Sequence, residues 1–270
     1  MTLNSTSSLP NQLAIARPQE ALSAAVAQRL GRYNLRLART EADAQALYRL
    51  RFEVFNLELN EGLAASYQTG LDQDRHDQFC HHLLVEDSKS GEVVGTYRLQ
   101  TYAMARLGPG FYSQAEFDLN ALGIEVLDDA VELGRACIDE NHRNSRVLFL
   151  LWRGLAAYMV ASQKRFFFGC CSLTSTHGAD GHALYASLVD SGHVSSKYRA
   201  PVQQAYRCPN EGDASADVKI PKLMRLYLTY GATIVSAPAL DQEFKTIDYL
   251  ALFDMQGLTD VQREVFLAPR

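Results

Sequence analysis

The chain predicts a mixed β-sheet with helices on its faces, an α/β or α+β domain. Three observations carry this. A buried strand at 131–138 runs through a polar turn into a helix that opens at Val147 and is apolar all round. Two strand-like stretches, 81–86 and 93–102, are joined by a Ser-Lys-Ser-Gly turn, a hairpin signal. The elements then follow as strand, helix, hairpin, strand, helix, strand, helix, with a final helix and strand pair and no internal repeat.

In chain order, residues 1–19 are rich in Ser, Asn, Gln and Pro and are expected to be disordered. Over 20–30 a weak helical pattern sets Leu22, Val26 and Leu30 on one face, so 1–30 reads as a flexible segment with a short helix that packs on the domain or rests on a membrane surface. Residues 33–38 alternate like a strand. Thr40 opens a helix with Asp43 three residues on, close to a capping box, and Leu47, Leu50 and Val54 form its inner stripe until Gly62 ends it. The connection 63–79 holds Asp72, Asp74 and Asp77, which repel one another unless a cation meets them. It is either a solvated acidic loop or a pocket for an ammonium group.

Arg98 sits inside the second hairpin strand, and pairing of that strand with 131–138 would allow an Arg98–Glu132 contact. Residues 108–110 make a turn and 111–119 a loop. A period of two puts Glu132 and Arg135 on opposite faces of their strand, so each needs a partner from elsewhere, a structural ion pair or a functional one. The turn after that strand carries His142, Arg143 and Arg146 at a helix N-terminus, where unpaired N–H groups and the helix dipole favour an anion.

A further strand at 165–172 is dominated by Phe166, Phe167 and Phe168, and 178–188 is a helix. Over 190–218 regularity fades around Gly192, Pro201, Pro209 and Gly212, which reads as a lid or a mobile insertion. A short helix starts at Pro221, with Pro at its first position, and stops at Gly231. Strands follow at 233–237 and 247–255. The domain thus spans 31–256, with a tail over 257–270.

A net charge of -5 gives no global attraction to nucleic acid or anionic lipid, so a basic site must be local. Five cysteines, odd in number and unpatterned, with no secretory signal ahead of them, suggest a reduced, cytoplasmic chain. The most apolar run, 147–161, is interrupted by Arg153 and is too short to span a bilayer. A Walker loop, a G-x-G-x-x-G turn and a G-x-S-x-G elbow are all missing, which argues against nucleotide hydrolysis, a dinucleotide cofactor and an α/β-hydrolase. Cys80, His81 and His82 lack metal-ligand spacing, and no metal is expected.

One set of motifs is specific in combination: RLRFEVF at 49–55, DQDRHDQFCHHLLV at 72–85, VVGTYRL at 93–99, FYSQAEFDL at 111–119, ELGRACI at 132–138, LLWRGLAAY at 150–158 and DQEFKTID at 241–248. In this order the chain resembles the ornithine N-acyltransferase family, hemolysin-like members of the GNAT superfamily that make lyso-ornithine lipid. It is more distantly similar to acyl-homoserine lactone synthases and N-acyl amino acid synthases. The resemblance implies a GNAT-like, mostly antiparallel sheet and transfer of a long-chain (3-hydroxy)acyl group from an acyl carrier protein thioester to the α-amine of an amino acid, ornithine first. No cofactor is implied beyond the phosphopantetheine thioester as co-substrate. The partners implied are acyl carrier protein and an amino acid, with peripheral contact at the inner face of the membrane as an option and no nucleic acid.

By the same resemblance, Arg51, Asp74 with Asp77, Arg98, and Glu132 with Arg135 match the residues that line the active site in the lactone synthases. The chemistry suits them. Glu132 can take the proton an α-ammonium must lose, while Asp74, Asp77, Arg98 and Arg135 offer both signs to a zwitterion. A backbone N–H at Cys137 is the expected oxyanion donor. The carrier's phosphopantetheine arm is expected over Arg143, Ser145, Arg146 and the N–H of Val147, and the His-Arg-Asn-Ser-Arg turn there favours a single phosphate over the diphosphate of coenzyme A. Arg153, Lys164 and Arg165 extend a basic patch, or simply a solvated helix face. An apolar tunnel is expected along Trp152, Leu155, Phe166 and Phe168. Two other readings stand beside this one: a coenzyme A-dependent N-acetyltransferase or lactone synthase, and a non-catalytic lipid or carrier-protein binding module.

Overall fold

The computed structural model describes residues 16–216 and 218–267, so the expectation for 1–15 lies outside the described residues. In chain order the elements are α1 (Glu20–Val26), β1 (Gln28–Leu30), β2 (Tyr33–Leu37), α2 (Glu41–Arg51), α3 (Ser66–Thr69), β3 (His81–Asp87), β4 (Val93–Thr101), α4 (Tyr102–Ala105), α5 (Ile124–Asp128), β5 (Ala130–Ile138), α6 (Ser145–Ser162), β6 (Phe166–Leu173), α7 (Gly178–Asp190), α8 (Lys222–Thr229), β7 (Thr233–Ile234), β8 (Ala239–Asp241), β9 (Thr246–Asp254) and α9 (Asp260–Leu267). The strands form one sheet in the order β1-β2-β3-β4-β5-β6-β9-β7, with β8 also paired to β9. Every pairing is antiparallel except β5 with β6, which α6 connects as a crossover.

Local signals account for the principal elements. Thr40 caps α2 in a full capping box with Asp43, and Asn144 caps α6. On one face of the sheet Tyr97, Leu99 and Val131 pack against Val147, Leu150, Leu151 and Leu155 of α6; α1 and α9 lie against the same helix. Each such side chain, fully buried, contributes roughly 1.5–3 kcal/mol. On the opposite face α2 covers β3 through Ala44, Leu47 and Tyr48 against Leu84, and reaches β5 where Leu50 and Val54 meet Cys137. Farther along, the segment from Phe111 to Leu127 closes over Phe166, Phe168, Leu250 and Leu252. α7 and α8 cover the other side of β6 and β9.

Several expectations need correction. The α2 helix does not run regularly toward Gly62; it passes at Phe52 into a π-helical stretch ending at Glu58. The segment 190–218 is anchored rather than lid-like: Val194 bridges Ile234, Val202 bridges Phe117, Arg207 bridges Ala239, and Ala200 is buried in the core. Single apolar anchors of this kind have no period and leave no pattern to read. Pro221 occupies the N-cap of α8, not its first turn. The strand at 233–237 is two residues long, and the segment before β9 supplies the short strand β8. α9 forms where a tail was expected.

Candidate active site

The acidic connection and the strand arginines meet in a closed ring of charge. Arg51, at the end of α2, donates to Asp72 Oδ1 at 2.6 Å and to both oxygens of Asp77 at 2.8 and 3.2 Å. Arg98 donates to Asp74 Oδ2 at 2.6 Å and Asp77 Oδ1 at 3.2 Å. Arg135 closes the circle with Asp72 Oδ1 at 3.2 Å and Asp74 Oδ2 at 3.0 Å. Three arginines and three aspartates alternate, each bridging two of the other kind, and the side chains of Arg51, Asp72 and Asp77 are 0 % exposed. The acidic connection is therefore neither solvated nor an open ammonium pocket. Burial alone would raise Asp74 and Asp77, but the arginines outweigh it and hold both below the usual carboxylate range.

A bulge makes the ring possible. Thr96 pairs with Cys137 but Arg98 with Gly134, so the β4–β5 register slips by one residue, and Arg135 takes a positive φ of 48°. Alternation breaks there, and Arg135 turns to the face that carries Arg98 and Glu132. The expectation of opposite faces is corrected: it holds for an unbroken strand and fails at the bulge.

Glu132 stands apart from the ring. It is 5 % exposed and accepts from the backbone N–H of Tyr112 at 2.8 Å, the N–H of Ser113 at 2.8 Å and the Ser113 hydroxyl at 2.5 Å. The expected Arg98 contact gives way to these bonds; Gln100, not Arg98, lies opposite Glu132 across the ladder, and Arg98 is turned toward Asp74 and Asp77. Burial raises the proton affinity of Glu132, and the Ser113 and Tyr112 bonds only partly offset it.

Beside Glu132 the sheet opens. β5 and β6 pair only from Ala130–Phe166 to Glu132–Phe168. They then diverge around a cavity of ≈ 300 Å³ lined by Leu133 to Ala136 on one side and Gly169 to Ser172 on the other. Arg98, Glu132, Arg135, Tyr112 and Asp248 supply its polar end, and Tyr97, Trp152, Leu155, Phe167 and Tyr227 an apolar end toward α6 and α8. Of the expected tunnel residues Trp152, Leu155 and Phe168 line it; Phe166 is instead packed in the core with Val126 and Leu127. Arg98 and Arg135 line it too, whereas Arg51, Asp74 and Asp77 stand behind them. Cys137 pairs with Thr96 and lies off the cavity.

The α6 corner differs most from expectation. Asn144 Oδ1 accepts from the N–H groups of Arg146 and Val147 at 3.0 and 3.2 Å, so those donors are already capped. Arg143 is paired with Glu58 of the π-helical stretch and donates to the Ile138 carbonyl. Ser145 and Arg146 are exposed, and none of the four lines the cavity. In the expected basic patch Lys164 donates to the Asp128 carbonyl and Arg165 pairs with Asp254, so two of its three members are committed within the fold. Of the Cys80-His81-His82 run, His81 meets Tyr158 and His82 the Asp77 carbonyl, pointing apart as strand neighbours do.

A second cluster escaped the sequence reading. Glu116, Cys170 and Asp248 bring their oxygens and sulfur within 4.8 Å of one another. Glu116 and Asp248 sit in the FYSQAEFDL and DQEFKTID motifs, which were the only available signal.

Comparison with known proteins accords with this architecture. Residues 50–153 match the family model for an acetyltransferase (GNAT) domain. The chain is 32 % identical over 252 residues to an L-ornithine N(alpha)-acyltransferase of Brucella abortus, covering 86 % of this chain and 87 % of that one. It is 31 % identical over 251 residues to the L-ornithine N(alpha)-acyltransferase of Rhodobacter capsulatus, covering 87 % and 94 %. Its fold is similar to that of FeeM, an N-acyl amino acid synthase from uncultured soil microbes, with a TM-score of 0.51 at 10 % identity over 88 % of this chain and 97 % of that one. The sheet, split beside a buried glutamate, and the identity sustained along nearly the whole length lead to one assignment: this chain belongs to the L-ornithine N(alpha)-acyltransferase family.

Proposed function

We propose that the protein moves a long-chain (3-hydroxy)acyl group from an acyl carrier protein thioester to the α-amine of ornithine, the reaction that yields lyso-ornithine lipid. One observation carries this reading: Glu132, held by three donors, faces a cavity that crosses the sheet from a charged side to an apolar one. The amino acid enters from the charged side, and Arg98 and Arg135, whose guanidinium groups keep unused N–H donors, receive its carboxylate. Asp77 holds Arg98 and Asp72 holds Arg135 from behind, and Arg51 fixes both of those aspartates. Asp74 bridges both of them.

Glu132 takes a proton from the α-ammonium, directly or through water, and the freed lone pair attacks the thioester carbonyl carbon. The C–N bond forms, the oxygen gains charge, and the backbone of residues 133–136 that faces the gap supplies donors to it in place of Cys137. Collapse breaks the C–S bond, the nitrogen sheds its second proton to the departing pantetheine sulfur, which leaves as the thiol, and Glu132 returns its own proton to solvent. The apolar end near Trp152 and Leu155 takes the acyl chain. The capped α6 turn, with Asn144 filling it, supports a carrier-protein arm over the diphosphate of coenzyme A, and Ser145 and Arg146 are the exposed groups there that could meet the arm's phosphate. No helix among the described residues is long and apolar enough to cross a membrane; association with a membrane surface would be peripheral.

The deciding experiment is incubation with acyl carrier protein thioesters, acyl-coenzyme A and a panel of amino acids, with mass spectrometry of the lipid extract. N-acyl ornithine from the carrier thioester is the expected product. Absence of an N-acyl product with every pair would overturn the reading.

A further inference from the structure

The charge ring balances three aspartates with three arginines. Elsewhere on the same face of the sheet, three more buried carboxyls have no such balance. Glu116, Asp241 and Asp248 are 1 %, 4 % and 4 % exposed, and among the described residues none of them pairs with an arginine, lysine or histidine nitrogen. Asp241 is used locally, accepting from the N–H groups of Glu243 and Phe244. Glu116 and Asp248 are not so satisfied. Among the described residues Glu116 Oε2 and Asp248 Oδ1 are both buried without a hydrogen-bond partner, while the rest of the pair is held by the Ser172 side chain at Asp248 and by the contact of the two carboxyls with each other. Such orphaned oxygens are costly.

Their position bears on chemistry. Asp248 lines the cavity that Glu132 lines, together with Cys170, Ser172 and Thr246. Glu132 lies across from Phe168, Cys170 follows two residues along β6, and Ser172 pairs with Asp248. With about 3.3 Å per residue, Cys170 sits about 7 Å along the strand from the point opposite Glu132. Glu116 does not itself line the cavity; it comes from the segment whose Tyr112 and Ser113 hold Glu132 and stands against Cys170 and Asp248, within 4.8 Å of both, its Oε1 accepting from Cys170 Sγ at 3.7 Å. Both clusters are thus built on shared elements, one beside the reacting amine and the other one side chain's length away.

Burial drives Glu116 well above the usual carboxylate range and Asp248 up to about 6. Two adjacent carboxyls in this state hold a proton between them until a cation offers itself. The Cys170 thiol, also pushed well up by burial and by Glu116, stays neutral and is a poor metal ligand.

We propose that Glu116 and Asp248 form the seat for the side-chain ammonium of the amino-acid acceptor, so that the enzyme selects a short-chain diamino acid over neutral and acidic ones. This rests on the reading of Glu132 as the base at the α-amine. A diamino acid of ornithine's length then bridges the cavity: α-ammonium at Glu132, carboxylate at Arg98 and Arg135, methylenes along Tyr112 and Cys170, terminal ammonium between Glu116 and Asp248. One carboxyl proton is released as the cation arrives. Norvaline, with the same skeleton and no terminal amine, leaves the pair unanswered.

The test compares wild type, Glu116→Gln and Asp248→Asn as full-length proteins. The ratio of kcat/KM for ornithine to that for norvaline is measured with one acyl carrier protein thioester, and thermal shifts are measured with ornithine, norvaline and zinc. Expected is a fall in the ratio of about 100-fold in either variant, with KM for ornithine taking most of the change, and an ornithine shift in wild type that the variants lose. An unchanged ratio, whether both substrates are affected equally or neither is, overturns the proposal, as does a shift produced by zinc and not by ornithine. Should wild type acylate no amino acid while ornithine still stabilises it and not Asp248→Asn, the seat stands and the acyl-transfer reading falls. If Asp248→Asn does not fold, Glu116→Gln alone decides.

Discussion

What suits Glu132 to the proposed role of base is that no salt bridge reaches it among the described residues, Arg98 acting on it only from a distance. Three donors from Tyr112 and Ser113 fix its carboxylate without neutralising it, while burial keeps its proton affinity up. Glu132→Gln removes the proposed base and should lower kcat by about 10²–10⁴-fold. A carboxamide can still accept from Ser113 but turns its amide toward the Tyr112 N–H, so a stability loss of about 1–3 kcal/mol, read by urea titration, accompanies the change. Because the folded protein raises the pKa of Glu132, the acid limb of a kcat/KM profile should fall above the ordinary carboxylate range, with rate rising as pH rises through it. Glu116 and Asp248 act on stability with a definite sign. Both bind protons more tightly folded than unfolded, so their contribution is complete below the unfolded pKa and is lost as pH climbs through the folded values, about 6 for Asp248. Glu116→Gln should therefore gain stability relative to wild type at pH 8 compared with pH 4, measured without substrate. The opposite trend would contradict the assignment of raised carboxyls.

At the level of elements, the β4–β5 bulge and the β5–β6 divergence do most to place the site. The bulge at Gly134–Arg135 brings a third arginine to the face where Asp72 and Asp74 wait. Removing one partner from a buried ring leaves charge unanswered, so Arg51→Ala and Arg135→Ala should each cost about 3–5 kcal/mol. Arg135 lines the cavity and Arg51 does not, and only the Arg135 change should raise KM for the acceptor beyond what lost folding explains. Gly169 controls the divergence: a Cβ there would sit 2.2 Å from the Leu133 carbonyl oxygen. Gly169→Ala should wedge the two strands apart, lowering Tm by an amount worth about 1–3 kcal/mol and altering acyl transfer together.

At the scale of the whole molecule, the cavity joins the two faces of the sheet. Its charged end faces α2 and the acidic connection, and its apolar end runs under α6 and α8 past Leu155, Trp152 and Tyr227. A bulkier residue at the apolar end should shorten the acyl chain the enzyme accepts. Leu155→Trp, assayed against carrier thioesters of increasing length, should shift preference toward short chains while leaving the order of amino-acid preference intact. A uniform loss across chain lengths would instead place the acyl group elsewhere.

Much of this was legible in the residues themselves. Apolar periodicity, the Thr40 box and the Ser-Lys-Ser-Gly turn set the long elements, because these are local effects that a neighbour in sequence suffices to produce. Glu132, Arg98 and Arg135, which line one cavity, were marked as candidates by charges standing where a strand should be apolar. What no local pattern could convey was which charge answers which. The closed Arg–Asp ring, the face on which Arg135 emerges, and the unanswered pair at Glu116 and Asp248 all depend on groups brought together from separate segments of the chain. Composition and spacing decided that charges would be buried in this sheet; only the packing of distant segments decided which of them would be neutralised and which left without a counter-ion, since burial cost is set by the nearest opposite charge in space and not in sequence.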